Sequence, residues 1–134
     1  MYSYETKIRV RYSDTDQMGF VYYGVYAQYY EIGRVELLRS IGYSYKDLEI
    51  DGYLLPVVKF EIKYKKPAYY DDQLTVRTLI NDIPTSKITF YHDVFDNNNT
   101  LINKGKVILA FIDFKTKKIC KPPQKIIQLF EDIF

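Results

Sequence analysis

Two aspartates in a short polar loop are the residues of this sequence that are best suited to chemistry. Asp14 and Asp16 come just before a tyrosine-rich segment with helical spacing, and Gly19 lies between the two parts. The first N–H groups of a helix have no partners within the helix, and the helix dipole makes that end positive. Such donors can bind a developing oxyanion, and a nearby carboxylate can attack a carbonyl carbon or activate water. A carboxylate beside unpaired N–H donors could therefore form a site for acyl transfer.

The same residues also have a purely structural interpretation. An Asp before a helix often only caps it, and a Gly often only turns the chain. A D-x-D-x-x-G pattern is therefore a weak signal when it stands alone. The tyrosines after the loop, Tyr22, Tyr23 and Tyr26, either shape an acyl pocket or pack in the core.

The other reactive side chains of the sequence do not indicate a different catalytic site or a metal site. His92 is the only histidine and falls in a predicted strand, which argues against a His-based triad or a His-rich metal site. Cys120 is the only cysteine, so it cannot form an internal disulfide, and no neighbouring group is evident to activate it. A glycine-rich phosphate loop is absent. The sequence requires no metal and no cofactor.

The composition predicts one folded domain that covers residues 1–134. Hydrophobic residues make up 47% and charged residues 27%, so the chain can bury a core. The net charge of +2 gives no reason to expect a nucleic-acid partner. No apolar run approaches the roughly 20 residues of a membrane span, and the N-terminus lacks the apolar segment of a signal peptide. These features predict a cytoplasmic protein.

Hydrophobic periodicity predicts the elements that must position the aspartates. A helix is expected over 22–41, where apolar residues recur at spacings of three and four. Gly33 lies on that apolar line and costs about 1 kcal/mol relative to Ala, so we expect another backbone to approach it closely. A helical turn is predicted at 44–51, and an amphipathic helix is predicted after Pro122-Pro123. Strands are predicted at 5–12, 54–65, 73–82, 87–95 and 100–113. This order indicates an α+β fold in which one sheet wraps the long helix.

With these elements in place, the sequence resembles the hotdog-fold acyl-CoA thioesterases of the 4-hydroxybenzoyl-CoA thioesterase-like family. The resemblance covers residues 5–113 in order, and its D-x-D-x-x-G-x-V-Y segment is fairly specific in this context. The matching segments include Tyr12-Ser13-Asp14-Thr15-Asp16, Gly19-Phe20-Val21-Tyr22-Tyr23, Tyr29-Tyr30-Glu31, Lys66-Pro67-Ala68 and Asp72. The resemblance implies a hotdog fold, with one antiparallel sheet wrapped around a long central helix.

The family resemblance also implies roles for individual residues. Asp16 matches the catalytic carboxylate, which acts either as a nucleophile or as a general base. Tyr23 matches the position at the start of the helix whose backbone N–H polarises the thioester carbonyl. Many members carry His at that position, and Tyr supplies the same N–H. Gly19, Tyr22 and Tyr26 are expected to bind substrate, whereas Asp14 caps the loop or orients its neighbours.

A set of lysines has two interpretations. Lys59, Lys63, Lys65 and Lys66 lie in or next to one predicted strand. They form either a solvated strand face or a basic rim that contacts the phosphates of a nucleotide-bearing substrate. Lys59 is the candidate from this set for substrate binding.

The implied activity is hydrolysis of an acyl-CoA thioester to a free acid and CoA. An acyl-carrier-protein thioesterase uses the same chemistry, and a non-catalytic hotdog module that binds acyl thioesters is an alternative from another class. A hotdog dehydratase generally needs a His and an acid, and His92 is badly placed for that role. Because the sites of this family lie between two subunits, a homodimer or homotetramer is implied.

Overall fold

The computed structural model describes all residues from 1 to 134. It has an α+β fold with three helices and seven strands. The helices are α1 (Val25–Ser40), α2 (Tyr45–Ile50) and α3 (Gln124–Ile133). The strands are β1 (Tyr2–Arg9), β2 (Tyr53–Leu54), β3 (Val57–Tyr64), β4 (Gln73–Ile80), β5 (Lys87–Phe95), β6 (Leu101–Ala110) and β7 (Ile112–Asp113).

Five of the strands form one antiparallel sheet in the order β1-β4-β5-β6-β3. The α1 helix packs mainly against β1 and β4 and reaches β5. Its sheet-facing residues, including Tyr26, Tyr30 and Leu37, are buried, and so is the inner face of β4. The predicted hotdog arrangement of one antiparallel sheet around a long helix is therefore confirmed.

Two glycines let α1 lie close to the sheet. A Cβ on Gly33 would collide with the hydroxyl of Thr78 and lie 3.0 Å from a methyl group of Val76, both on β4. The close approach expected at Gly33 is thus confirmed. On β6, a Cβ on Gly105 would overlap the ring of Tyr30. The sequence pattern gave no indication of this second contact, because it joins residues that are far apart in the chain.

Strand boundaries differ from the predictions where pairing partners or prolines intervene. The strand predicted at 5–12 covers 2–9, because the ladder from Tyr2↔Ile80 ends at Arg9↔Gln73, where β4 begins. The strand predicted at 54–65 is split around Pro56 into β2 and β3. The strand predicted at 100–113 breaks at Phe111, after which β7 leaves the main sheet and pairs with β2.

The β3 strand forms one edge of the five-stranded sheet and has little cover. Seven of its eight residues are exposed, even though Val58, Phe60, Ile62 and Tyr64 alternate as a strand with one buried face would. Phe60 contacts the buried Tyr30 ring at a centroid distance of 5.6 Å. This edge therefore presents both apolar side chains and unpaired backbone groups. None of the three helices is long and apolar enough to cross a membrane.

Candidate active site

Asp14 is the residue on which the loop before α1 is built. The chain makes a short 3-10 turn at Tyr12–Asp14, and Asp14 is only 3% exposed. Its Oδ2 accepts hydrogen bonds from the Arg11 backbone N–H at 3.0 Å and from the Tyr29 hydroxyl at 2.7 Å. Its backbone oxygen accepts from the Tyr22 N–H at 2.9 Å. Asp14 thereby ties the loop to Tyr22, just before α1, and to Tyr29 within α1, which is the orienting role expected for it.

The environment of Asp14 favours its charged form. Burial by itself would raise the pKa, but hydrogen bonds from the Arg11 N–H, the Tyr29 hydroxyl and the Arg11 guanidinium outweigh burial and lower the pKa of Asp14. A carboxylate with a lowered pKa in the folded state stabilises the protein above its unfolded pKa, and this contribution disappears as the pH falls through the folded pKa.

This linkage predicts that part of the acid sensitivity of the protein's stability depends on Asp14. We expect the free energy of unfolding of the wild type to fall as the pH is lowered below about 4, and more steeply than that of Asp14→Asn. Urea unfolding at a series of pH values measures both slopes. Parallel curves for the two proteins would show that Asp14 does not carry this linkage.

Asp16 lies at the tip of the same loop with its side chain half-buried. Its Oδ1 accepts a hydrogen bond from the Met18 N–H at 2.9 Å, whereas no group of the chain donates to Oδ2. The loop is closed by bonds from the Asp16 N–H to the Phe20 oxygen and from the Gly19 N–H to the Asp16 oxygen. Gly19 has φ +86°, a conformation that a residue with a side chain rarely adopts. The turn thus fixes the carboxylate and leaves one oxygen free.

A pocket of about 500 Å³ opens beside this carboxylate. Asp16, Tyr22, Tyr23 and Tyr26 all line it, so the structure brings four of the predicted site residues together. Gly19 is not in its wall but shapes the loop that carries Asp16. The wall also contains residues that the sequence analysis did not assign to the pocket, namely Met18, Phe20, Val21, Tyr64, Lys65, Lys66 and Pro67.

Lys59 lies outside the pocket wall of this chain. Its Nζ is 3.1 Å from a carboxylate oxygen of Glu61, two residues further along the same strand and on the same face. Lys65 and Lys66, which follow β3, line the pocket instead. Alternation along the strand could not have separated Lys59 from Lys65, because the two positions are an even number of residues apart, so only the packed structure shows which of them lines the pocket.

The start of α1 supplies free donors next to the pocket. The N–H groups of Tyr23 and Gly24 donate to no acceptor in the chain, and α1 begins at Val25. A Cβ at Gly24 would lie 3.2 Å from the exposed Tyr22 ring, so a larger residue there would need that ring to shift slightly. Free N–H groups at the positive end of a helix favour an oxygen that gains negative charge.

Two buried tyrosines, Tyr26 in the pocket wall and Tyr29 on Asp14, remain neutral at ordinary pH. Burial raises the pKa of Tyr26 to about 12. Burial and the hydrogen bond to Asp14 also raise the pKa of Tyr29. Neither phenol can act as a base near neutral pH, so each serves as a neutral donor or a packing surface. Asp16 is the only carboxylate in the pocket wall.

His92 belongs to the core between α1 and the sheet. Its ring stacks on Tyr30 at a centroid distance of 4.4 Å, and its Nδ1 lies 3.1 Å from the Thr78 hydroxyl. Burial, with a further contribution from the charge of Arg34, lowers the pKa of His92 to about 3. His92 is therefore a neutral core residue at physiological pH and lies outside the pocket wall.

Comparisons with known proteins agree on one family. Residues 10–130 match the model of the thioesterase-like superfamily. The chain is 38% identical to YneP of Bacillus subtilis over 124 residues, which are 92% of this chain and 88% of YneP. It is 32% identical to the acyl-CoA thioester hydrolase YbgC of Escherichia coli O157:H7 over 124 residues, 92% of each protein. The structure of the DHNA-CoA thioesterase from Staphylococcus aureus matches with a TM-score of 0.94 at 26% identity, and the match covers 99% of this chain and 91% of that one.

Proposed function

The chain belongs to the thioesterase-like superfamily and is a thioester hydrolase, and we propose that it hydrolyses acyl-CoA thioesters to a free acid and CoA beside Asp16. The observation that carries this proposal is the meeting of two groups at one pocket. Asp16 supplies a carboxylate with a free oxygen, and the start of α1 supplies N–H groups without acceptors. Thioester hydrolysis needs both an attacking or water-activating group and donors for the oxyanion.

Two routes use the same groups. In the first, Asp16 takes a proton from water while the water oxygen attacks the carbonyl carbon. In the second, the Asp16 carboxylate attacks directly and forms a mixed anhydride, which water then hydrolyses. In both routes the carbonyl oxygen becomes negative and accepts from the Tyr23 N–H. The C–S bond then breaks, and CoA leaves as a thiolate that takes up a proton.

The pocket wall also suits the two ends of an acyl-CoA molecule. Phe20, Tyr22, Tyr26 and Tyr64 offer aromatic surface to an acyl group. Lys65 and Lys66 offer positive charge to the phosphates of CoA. Support for CoA as the carrier comes also from the name of the Escherichia coli relative YbgC. An acyl carrier protein would present a phosphate at a similar place, so these lysines suit either carrier. An activity assay with both kinds of thioester distinguishes the two carriers.

Release of free thiol from a panel of short-chain, long-chain and aryl acyl-CoA esters tests the proposed function. Turnover of any of these esters supports it and ranks the acyl groups. Turnover only of acyl carrier protein thioesters would replace CoA with the protein carrier. Binding of acyl-CoA without turnover would indicate the non-catalytic module instead.

We further propose that the protein assembles as a homodimer through β3, and that a tetramer forms as a pair of such dimers. The β3 edge is open, and Val58 on it is 52% exposed. Arg34, which is 5% exposed, donates to the Tyr45 hydroxyl and contacts no carboxylate of its own chain. Glu31, one turn earlier and exposed, contacts no cation. A two-fold interface lets Glu31 of one protomer meet Arg34 of the other twice.

This assembly predicts a mass of at least twice the 16.0 kDa of one chain in light scattering after gel filtration. Val58→Lys places a charge on the open edge and is expected to reduce the mass to that of one chain. Ile83→Lys, in the turn between β4 and β5, is the matched control and should leave the mass unchanged. A wild type that elutes as a single chain would contradict the proposed dimer.

We also propose a cytoplasmic location. Cys120 is the only cysteine, so the chain has no internal disulfide that would call for an oxidising compartment.

A further inference from the structure

Tyr64 links the edge of the sheet to the start of α1. It is the last residue of β3, and its hydroxyl donates to the backbone oxygen of Tyr23 at 2.9 Å. Its ring meets Tyr26 at a centroid distance of 5.7 Å and lines the pocket beside Asp16. The side chain is 45% exposed, so its position is held by these few contacts rather than by the core.

The Tyr23 oxygen belongs to the same peptide unit as the Gly24 N–H. That N–H has no acceptor in the chain, and Gly24 already has helical backbone angles, φ −70° and ψ −19°. A peptide unit is planar, so a hydrogen bond to its oxygen also fixes the direction of its N–H. A donor bound to the oxygen also polarises the unit, which strengthens the bond that the N–H can donate.

We infer that Tyr64 is a positioning residue for thioester hydrolysis, which holds the Tyr23–Gly24 peptide so that the Gly24 N–H joins the Tyr23 N–H as a second oxyanion donor. This inference rests on the proposed function. Tyr64 would act through the peptide and not on the reacting atoms. The Tyr64 hydroxyl can donate in this role because a tyrosine keeps its proton near neutral pH, and partial burial raises the pKa of Tyr64 further.

A different role would need only the ring of Tyr64. The ring packs on Tyr26 and forms part of the pocket wall, so it could matter for substrate fit without any contribution from the hydroxyl. The substitution Tyr64→Phe separates the two roles, because it keeps the ring and removes the donor. The bond from the Gly24 N–H to the oxyanion forms only in the transition state, so weakening it lowers kcat. A change in how the substrate fits the pocket affects KM instead.

The test compares Tyr64→Phe with the wild type in the acyl-CoA assay. We expect kcat to fall about fivefold to tenfold and KM to change less than about twofold, as befits the indirect loss of one neutral hydrogen bond. Tyr91→Phe is the control, since it removes an exposed hydroxyl from β5, outside the pocket wall. An unchanged kcat, or a loss confined to KM, would overturn the inference.

The wild-type activity and one further measurement distinguish a failure of this inference from a failure of the proposed function. If the wild type hydrolyses acyl-CoA while Tyr64→Phe does so equally well, only this inference fails; if the wild type is inactive, the proposed function fails. In ¹⁵N-resolved NMR spectra of the free protein, the Gly24 amide resonance should shift in Tyr64→Phe and stay in place in Tyr91→Phe. A Gly24 resonance that is unchanged in Tyr64→Phe would show that the hydroxyl does not hold this peptide.

Discussion

Replacing Asp16 with Asn is expected to lower kcat for acyl-CoA hydrolysis by a factor of about 100 or more. The amide has nearly the shape of the carboxylate, and its oxygen can still accept from the Met18 N–H that binds Asp16 Oδ1. It cannot take a proton from water, and it is a poor nucleophile. A factor of 100 corresponds to about 2.7 kcal/mol of lost transition-state stabilisation. The loss should fall on kcat, because the pocket wall is otherwise unchanged.

The control for this variant is Asp82→Asn, which changes an exposed carboxylate outside the pocket and should retain full activity. Circular dichroism and the midpoint of thermal unfolding establish that Asp16→Asn is folded. If the folded variant keeps its activity, Asp16 only shapes the loop, and the assignment of the site is wrong.

Replacing Asp14 with Ala is expected to destabilise the protein by about 3 kcal/mol and to lower activity as a consequence. The substitution removes the acceptor for the Tyr29 hydroxyl and the Arg11 N–H and leaves the buried Tyr29 hydroxyl without a partner. The loop that carries Asp16 would then be held to α1 mainly by backbone bonds.

Urea unfolding near neutral pH measures the loss, and Asp14→Asn is the graded comparison. The Asn side chain retains one acceptor oxygen, so its cost should fall between that of Ala and zero. Equal unfolding midpoints for the wild type and Asp14→Ala would show that the buried network does not stabilise the fold. A strongly reduced kcat in a variant of unchanged stability would instead give Asp14 a direct part in catalysis.

Local sequence patterns were enough to find the parts of the site that lie close together in the chain. Asp16, Tyr22, Tyr23 and Tyr26 occupy one loop and the first turn of α1, so their spacing alone places them near one another. Gly33 was recognisable for a related reason, since a Gly on the apolar line of a helix needs a close neighbour. The bounds of β5 also agree with the predicted 87–95.

Contacts between distant segments could not be predicted in this way. Tyr64 meets Tyr23 across 41 positions of sequence, and Gly105 faces Tyr30 only because the Tyr30 side chain reaches from α1 to β6 in the packed structure. Lys59 and Lys65 illustrate the same limit, since both are basic and near one strand, and only the packed structure shows that Lys65 lines the pocket of this chain. The ends of strands likewise depend on the strands with which they pair. For example, β1 ends at Arg9, which pairs with Gln73, the first residue of β4.

The most direct test of thioester hydrolysis at Asp16 follows both products during many turnovers in ¹⁸O-enriched water. Each acid molecule formed by the wild type should carry one oxygen from the solvent and should be matched by one free CoA thiol. Either chemical route for Asp16 gives this result, and Asp16→Asn should form both products at least about 100 times more slowly. Thiol release without labelled acid, or equal rates for the two proteins, would contradict the account.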